Sequence, residues 1–209
     1  NRIAKNRLAE GNNLRWMSRV NYLSGNRLLA TQYARDALLV LEAETPGAEL
    51  AMAYSNLGQL SMLEDDPIQT LRWSEKAVAL ATQLDRKDIT SHALNNSGAA
   101  QRWTDKTAAR DKLDRSLTIA LENDFHDHVA RNYTNRAYVE INWLENANAH
   151  RFLKAGLSYC DERDLGTWHT YLMECRAQLL LKQGKWDEAA TIAQNEILAD
   201  HATPMLRFP

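Results

Sequence analysis

The segments Tyr54-Ser-Asn-Leu-Gly58 and Leu94-Asn-Asn-Ser-Gly98 decide the fold, because each places a large residue four positions before a small one, 40 residues apart. The same pair recurs along the whole chain. Its five copies are Leu14/Ser18, Tyr54/Gly58, Leu94/Gly98, Tyr133/Ala137 and Met173/Ala177, and the small members are 40, 40, 39 and 40 residues apart. Two residues four positions apart lie on one face of a helix, so the pattern predicts five equivalent helices.

A second set of residues, mostly small, follows each pair at positions i, i+4 and i+7, which also form one helical face. Its copies are Ala30/Ala34/Ala37, Thr70/Ser74/Ala77, Ala109/Leu113/Ser116, Ala149/Leu153/Gly156 and Ala189/Ala193/Glu196. The offset from the first set to the second is 12 residues in every repeat except the third, where it is 11. The offset back to the next repeat is always 28. The single irregularity therefore lies between Gly98 and Ala109, where a turn is expected, and the period is real.

Each repeat predicts two helices joined by a short turn. These turns are expected near Gly25, Asp65–Pro67, Thr104–Asp105, Glu145–Asn146 and Gly184, with longer connections between repeats at Thr45–Gly47, Arg86–Asp88, Asn123–Asp127 and Asp161–Gly166. One helix pair cannot bury its apolar face alone, so neighbouring pairs must stack. We expect an all-α, right-handed superhelical solenoid of about five helix pairs. It should fill residues 1–209 as a single domain, as a piece of a longer protein.

The composition agrees with this fold and excludes several others. Gly and Pro together make 12 of the 209 residues, too few for the frequent turns of β-sandwiches and barrels. A net charge of -2 argues against a broad nucleic-acid-binding surface. Two cysteines do not make a disulfide framework, and no apolar run approaches the roughly 18 residues that span a membrane. We expect a cytoplasmic protein that contacts neither nucleic acid nor membrane.

The repeat resembles the tetratricopeptide repeat, best at Tyr54–Gly58 followed by Ala77, and at Gly184–Ala190. It departs from that family in its longer period, in lacking the second-helix aromatic residue, and in lacking the closing proline. This longer unit is similar to the repeat arrays of bacterial ATPase-linked LuxR-type regulators and signal-transducing ATPases. That resemblance implies a tetratricopeptide-like superhelix within a regulator whose nucleotide-binding domain precedes the array.

No constellation of catalytic residues stands out. The chain has no glycine-rich phosphate loop, no G-x-S-x-G and no H-E-x-x-H motif. His126 and His128, in a predicted solvated connection, lack further ligands for a structural zinc site. Cys160 and Cys175 fit buried small hydrophobes on facing helices. We expect neither enzymatic activity nor a cofactor nor a metal.

The first helices carry the candidate binding face, since in this repeat class they line the concave side of the superhelix. Removing the packing positions leaves Arg15, Arg19, Tyr22, Ser55, Gln59, Asn95, Arg102, Arg131, Thr134, Tyr138, Tyr171, Glu174 and Gln178. Four arginines against one glutamate predict a groove for an acidic ligand or partner segment, because a guanidinium pairs with carboxylate or phosphate. An ordinary solvated face is the alternative. Asn56, Asn96 and Asn135 occupy equivalent positions and predict a hydrogen-bond ladder between repeats, with ligand contact as the alternative.

These features predict a non-catalytic module that senses a ligand or binds a protein in a bacterial transcriptional or signalling regulator. The alternative is a constitutive scaffold that docks a partner peptide. A protein or peptide partner is expected, a small-molecule effector is a second option, and a homodimer is compatible with both. Because Arg15, Arg19, Arg102 and Arg131 come from three repeats, one ligand that touches all four must be elongated. For packing, Gly98 should be intolerant of a larger side chain, while Gly11 should tolerate one.

Overall fold

The computed structural model describes residues 6–198, with side chains described up to Asn195. Within this range it contains ten α-helices and one short 3-10 helix. They are α1 (Arg7–Leu23), α2 (Arg27–Glu42), α3 (Ala48–Leu63), α4 (Pro67–Gln83), α5 (Lys87–Ala100), the 3-10 helix (Gln101–Trp103), α6 (Lys106–Glu122), α7 (His126–Asn142), α8 (Asn146–Asp161), α9 (Gly166–Lys182) and α10 (Trp186–Leu198). Each helix packs on its neighbours in chain order, and each odd-numbered helix also packs on the next odd-numbered one. The predicted all-α solenoid of five helix pairs is confirmed.

Turn chemistry in the sequence explains where α2, α4 and α6, the second helices of the first three pairs, begin. Asn26, Asp66 and Asp105 precede these helices, and their side chains accept a hydrogen bond from the backbone amide three residues on. Such N-caps satisfy amides that have no partner within the helix. These three turns are therefore fixed locally, whereas Glu145 before α8 makes no such bond.

The turn of the third repeat shows how the chain absorbs its missing residue. The other four turns within repeats contain one residue with positive φ, namely Gly25 (80°), Asp65 (57°), Leu144 (62°) and Gly184 (77°). In the third repeat α5 tightens instead into the 3-10 helix Gln101–Trp103. A 3-10 turn uses fewer residues per turn than an α-helix, so the two helices of that repeat keep their pairing.

The connections between repeats differ from the predicted ones: that before α3 is longer, that before α5 is shifted, and those before α7 and α9 are shorter. α5 begins at Lys87 and α7 at His126, each after a turn of three residues, so Asp88 and Asp127 lie in helices. Asp85 and Asp124 adopt positive φ in these turns, a conformation that Asp tolerates better than most residues. Tight aspartate turns therefore replace the predicted loops.

The two small-residue sets meet inside each pair, as the period predicts. A Cβ built on Gly98 would lie 3.0 Å from the carbonyl oxygen of Ala109, and one on Gly58 would lie 3.0 Å from Oγ of Ser74. The sequence reading missed a third set on the first helices. It consists of Gly11, Ala51, Ser91, Ala130 and Thr170, all buried. Small residues at these positions let the helix axes come close together. The core of the described chain consists of several small hydrophobic clusters along the repeats.

Candidate functional site

The predicted asparagine ladder joins the first helices of successive repeats. Nδ2 of Asn56 donates to Oγ of Ser18 at 3.0 Å, and Nδ2 of Asn96 donates to the carbonyl oxygen of Ser55 at 2.9 Å. Nδ2 of Asn135 donates to Oδ1 of Asn95. These bonds confirm the ladder, and they show that its side chains hold the concave wall together.

A cavity of about 410 Å³ lies inside the superhelix, where side chains from four repeats meet. It is bounded by the C-terminal halves of α1 and α3, the N-terminal half of α7, and the turn that leads into α9. Its lining residues are Arg19, Tyr22, Leu23, Gln59, Met62, Leu63, Asp127, Arg131, Thr134, Asn135, Asp164, Leu165, Gly166, Thr167, Trp168 and Tyr171. The wall combines two arginines and two aspartates, Asp127 and Asp164, with an apolar and aromatic surface.

One carboxylate ties the two ends of the superhelix together at the rim of this cavity. Asp127 at the start of α7 lies 3.8 Å from the guanidinium of Arg19 in α1. The same carboxylate accepts a hydrogen bond of 2.8 Å from Nε1 of Trp168 in α9. The first repeat therefore approaches the fourth across the concave side, and the first, fourth and fifth repeats all contribute to the cavity.

Arg131 supplies a buried positive charge to this cavity. Its residue is 5% exposed, and its guanidinium donates to the carbonyl oxygen of His92 at 3.4 Å and to Oδ1 of Asn96. No carboxylate in the described part of the chain lies within 4.0 Å of it. Burial and the neighbouring charge of Arg19 lower the pKa of Arg131 to about 9. The group is thus protonated at neutral pH without a carboxylate partner, which is costly unless an anion approaches.

Two histidines lie beside this arginine as neutral bases. His92 is buried, and its Nδ1 lies 2.7 Å from Oγ of Ser55. Burial, and then the charge of Arg131, lower the pKa of His92 well below its ordinary value. His128 contacts His92 edge-on at 5.5 Å between ring centroids, and the same two causes lower its pKa to about 4. Neutral imidazoles hold the polar wall without adding charge at pH 7.

His128 corrects the interpretation of the histidine pair as solvated loop residues. Both His126 and His128 belong to the first turn of α7, and only His126 is exposed. Nδ1 of His128 is buried and has no hydrogen-bond partner among the described residues. Residues 6–195 contain no cluster of three or more His, Cys, Asp or Glu side chains that could hold a metal ion.

The structure brings together six of the residues predicted for the binding face: Arg19, Tyr22, Gln59, Arg131, Thr134 and Tyr171. Arg15 lies beside the cavity, where it hydrogen-bonds Asn12 and stacks 4.4 Å from the Trp16 ring centre. Burial, and then Arg19, lower the pKa of Arg15 to about 10. Ser55 and Asn95 are buried in the ladder, and neither Glu174 nor Gln178 lines the cavity.

Arg102 lies away from the cavity. Its guanidinium pairs with Asp65, donates to the carbonyl oxygen of Ala99 at 2.9 Å, and stacks 5.4 Å from the ring centre of Tyr138. It therefore joins the turns of the second and third repeats at one edge of the solenoid. Four arginines do not share one face, so the geometric argument for an elongated ligand fails.

Several cavity residues escaped the sequence reading, chiefly Leu23, Met62, Leu63 and Trp168. Three of them end a first helix, and Trp168 lies in the first turn of α9. Periodicity alone assigns the ends of helices to turns, so residues at these ends were not considered as lining residues. Leu23 and Leu63 could have been found from the large residue that recurs near the end of first helices. No sequence spacing indicates, however, that α1 and α9 line the same cavity.

In the described residues no helix is long and apolar enough to cross a membrane. The two cysteines, Cys160 and Cys175, are free and lie in one apolar cluster, and burial raises the pKa of their thiols to about 11 and about 12, respectively. They act as small hydrophobes, as predicted.

Comparison with known proteins adds a likeness of fold. No protein-family model matches the chain, and no curated protein matches it in sequence. Among solved structures, the chain is similar to aspartyl phosphate phosphatase F from Bacillus subtilis, with a TM-score of 0.68 and 16% identity, over 93% of this chain. The chain spans 54% of the length of that protein. At this identity the likeness is one of architecture, and it supports a tetratricopeptide-like repeat fold.

Proposed function

We propose that the chain is a non-catalytic ligand-sensing module of a bacterial signalling or transcriptional regulator, and that its cavity binds a compact anion with an apolar body. The regulatory role rests on the resemblance of the repeat to the arrays of ATPase-linked LuxR-type regulators. The likeness to aspartyl phosphate phosphatase F from Bacillus subtilis supports the repeat fold that such a module needs.

The observation that carries the proposal is the unpaired charge of Arg131 at the cavity wall. A buried guanidinium without a carboxylate is unfavourable, and an anion that binds beside it recovers that cost. Arg19 lines the same cavity from α1, where its guanidinium lies 3.8 Å from Asp127, so a bound anion would compete with that carboxylate for it. Two guanidinium groups from opposite walls match a carboxylate, sulfonate or phosphate.

The rest of the cavity favours an apolar body on that anion. Met62, Leu63, Trp168 and Tyr171 form most of the non-polar wall. A volume of about 410 Å³ falls in the range of small-molecule sites, which are mostly apolar with a few convergent polar groups. A compact effector, or the end of a partner peptide, therefore fits better than a peptide that follows the whole superhelix.

The test uses phenyl phosphate as the probe, titrated into the purified chain by calorimetry. We expect binding that Arg19→Gln weakens about tenfold, since a charge-assisted contact is lost. Arg131→Gln should weaken it further, provided that its circular dichroism matches the parent. The matched control is Arg115→Gln, because Arg115 is exposed on α6 and outside the cavity. Inorganic phosphate and phenol each lack half of the ligand and should bind at least tenfold more weakly.

Two results would overturn the proposal. One is unchanged affinity in both Arg19→Gln and Arg131→Gln. The other is phenol binding as tightly as phenyl phosphate, which would leave the arginines without a role in recognition.

A constitutive scaffold remains the second candidate, because the edge near Arg102 exposes large apolar side chains. Trp103 is 62% and Leu144 is 68% exposed there. A scaffold would bind its partner through that edge with the same affinity whether or not phenyl phosphate occupies the cavity. A Walker motif encoded upstream of this segment would favour the regulator.

A further inference from the structure

One face of α1 differs from the equivalent face of every later first helix. Val20 corresponds by the repeat spacing to Leu60, Ala100, Val139 and Leu179, which are 7%, 4%, 0% and 0% exposed. Val20 itself is 54% exposed. The four later positions lie against a preceding repeat, whereas none of the described residues covers Val20 to the same extent.

The neighbouring positions of α1 show the same difference. Trp16 occupies the ladder position and is 48% exposed, whereas its counterparts Asn56 and Asn96 are 6% and 0% exposed. Met17 is 43% exposed, whereas its counterparts Leu57, Ser97 and Arg136 are 7%, 4% and 5% exposed; the counterpart in α9, Arg176, is exposed as well. The exposed side therefore extends over about two turns of helix, and it carries large apolar groups. We name this surface of Trp16, Met17 and Val20 the α1 face.

The interior interfaces show which partner such a face receives. Leu57 and Leu60 of α3 pack against Ala30 and Ala34 of α2. These alanines allow close approach, and the large residues of the following first helix fill the space between backbones. The partner is thus an α-helix with small residues at i, i+4 and i+7, as in α2.

We propose that the α1 face is a docking surface for a helix of the α2 type, which would continue the solenoid beyond α1. The α1 face matches the surfaces that form the four repeat interfaces within the molecule, and it lies apart from the cavity residues. Such a helix would bury the apolar groups of Trp16, Met17 and Val20, as the preceding repeat does for their counterparts.

The experiment adds the matching helix in register. A copy of Asn26–Gly47 is fused in front of Leu8, which corresponds to Ala48, so the added α2 copy precedes α1 as α2 precedes α3. The control fusion carries Ala30→Glu and Ala34→Glu in the added copy only. We expect the first fusion to melt at least about 4 °C above the control, with slower amide exchange in α1.

A second pair of variants separates docking from a general effect of the added residues. Val20→Glu in the unextended chain should shift the melting temperature by no more than about 1 °C, since the side chain is half exposed there. In the fusion the same substitution should remove the gain. Equal melting of fusion and control, or an equal effect of Val20→Glu in both backgrounds, would overturn the proposal.

Discussion

Helices α1 and α5 hold the same place in their repeats but have opposite surroundings. α5 is buried at every residue from Ser91 to Ala100, whereas α1 buries only Gly11 and Ser18. α5 packs against α3, α4, α6 and α7, while α1 packs against α2 and α3. Polarity does not explain the contrast, because α5 buries His92 and Asn96 while α1 exposes Trp16 and Val20.

Burial in this solenoid therefore depends more on how many helices surround a given helix than on the polarity of its side chains. A polar helix at the centre must then satisfy its own groups. α5 does so through the network of Ser55, His92, Asn96 and Arg131. Buried polar groups that lose a partner are costly, so substitutions at the centre should cost more than equivalent ones at α1.

The largest expected effect is at Gly98 in α5. A Cβ there would lie 2.8 Å from Cγ of Leu113 and 3.0 Å from the backbone oxygen of Ala109. Because backbone cannot move aside cheaply, Gly98→Leu should lower the free energy of unfolding by about 3 kcal/mol or more. Urea denaturation followed by circular dichroism measures this.

Gly11 and Gly166 provide the comparison for that variant. A Cβ on Gly11 would lie 2.4 Å from Cγ of Leu41, so the expectation that Gly11 tolerates a larger side chain is wrong. The atom that a Cβ on Gly11 would meet belongs to a side chain, and the first repeat packs on one neighbouring repeat. Gly11→Leu should therefore lower the free energy of unfolding less than Gly98→Leu does. Gly166 has nothing within 4 Å, so Gly166→Ala should not destabilise. Equal losses at Gly98 and Gly166 would contradict the packing register.

The next largest effect is a loss of stability in mild acid caused by His128. Burial, and then Arg131, lower its pKa from 6.5 to about 4 in the folded chain. Below pH 6.5 the unfolded chain binds a proton that the folded chain does not. The free energy of unfolding should therefore fall from pH 6.5 downward, by about 3 kcal/mol in all when pH 4 is reached.

Urea midpoints at pH 7, 6 and 5 measure this contribution. His128→Leu should flatten the dependence, although His92, whose pKa is lowered too, retains part of it. His150→Gln is the control at an exposed position. Parallel profiles for the parent and His128→Leu would show that the buried imidazole does not contribute.

Asn96 and Trp16 compare the ladder position at the centre with that at the end. Asn96→Leu removes the donor to Ser55 and the acceptor for Arg131. We expect a loss of about 2 kcal/mol in the free energy of unfolding. Trp16→Leu changes a half-exposed side chain and should cost no more than about 1 kcal/mol. A loss at Trp16 as large as that at Asn96 would reverse the contrast between the helices.

The smallest effect is expected at Asp127, which lines the cavity beside Arg19. Asp127→Asn removes a negative charge near the proposed anion while an amide oxygen can still accept from Trp168. Affinity for phenyl phosphate should rise by about two- to fivefold, with stability changed by less than about 1 kcal/mol. Weaker binding in this variant would place the anion elsewhere.

Local pattern made much of the fold predictable. The small members of each set, such as Gly58 and Gly98, met the partner helix as expected, since the required close approach leaves a mark at fixed spacing. The Asn96 ladder was predictable for the same reason. The connections between repeats could not be predicted in this way. A three-residue turn with an aspartate at positive φ, as before α5 and α7, has the same polar composition as a longer loop.

The candidate site was predictable only in part. Arg19 and Arg131 were chosen from their places on first helices, and both line the cavity. Arg102 was chosen by the same rule, but the 3-10 turn of the shortened third repeat directs it to Asp65. Trp168 was missed because it lies in the first turn of α9, where its Nε1 donates to Asp127 of the neighbouring first helix α7.

The sequence by itself determined the repeat, the helix pairs, the turns within them and the residues through which neighbours pack, because these depend on spacings within about 40 residues. The tertiary structure decided that Arg19 of α1 lies near Asp127 of α7, that no carboxylate of the described chain lies within 4.0 Å of Arg131, and that none of the described residues covers the α1 face. The reason is that each interface adds a small rotation set by side-chain volumes, and only their sum over several repeats fixes which distant residues meet.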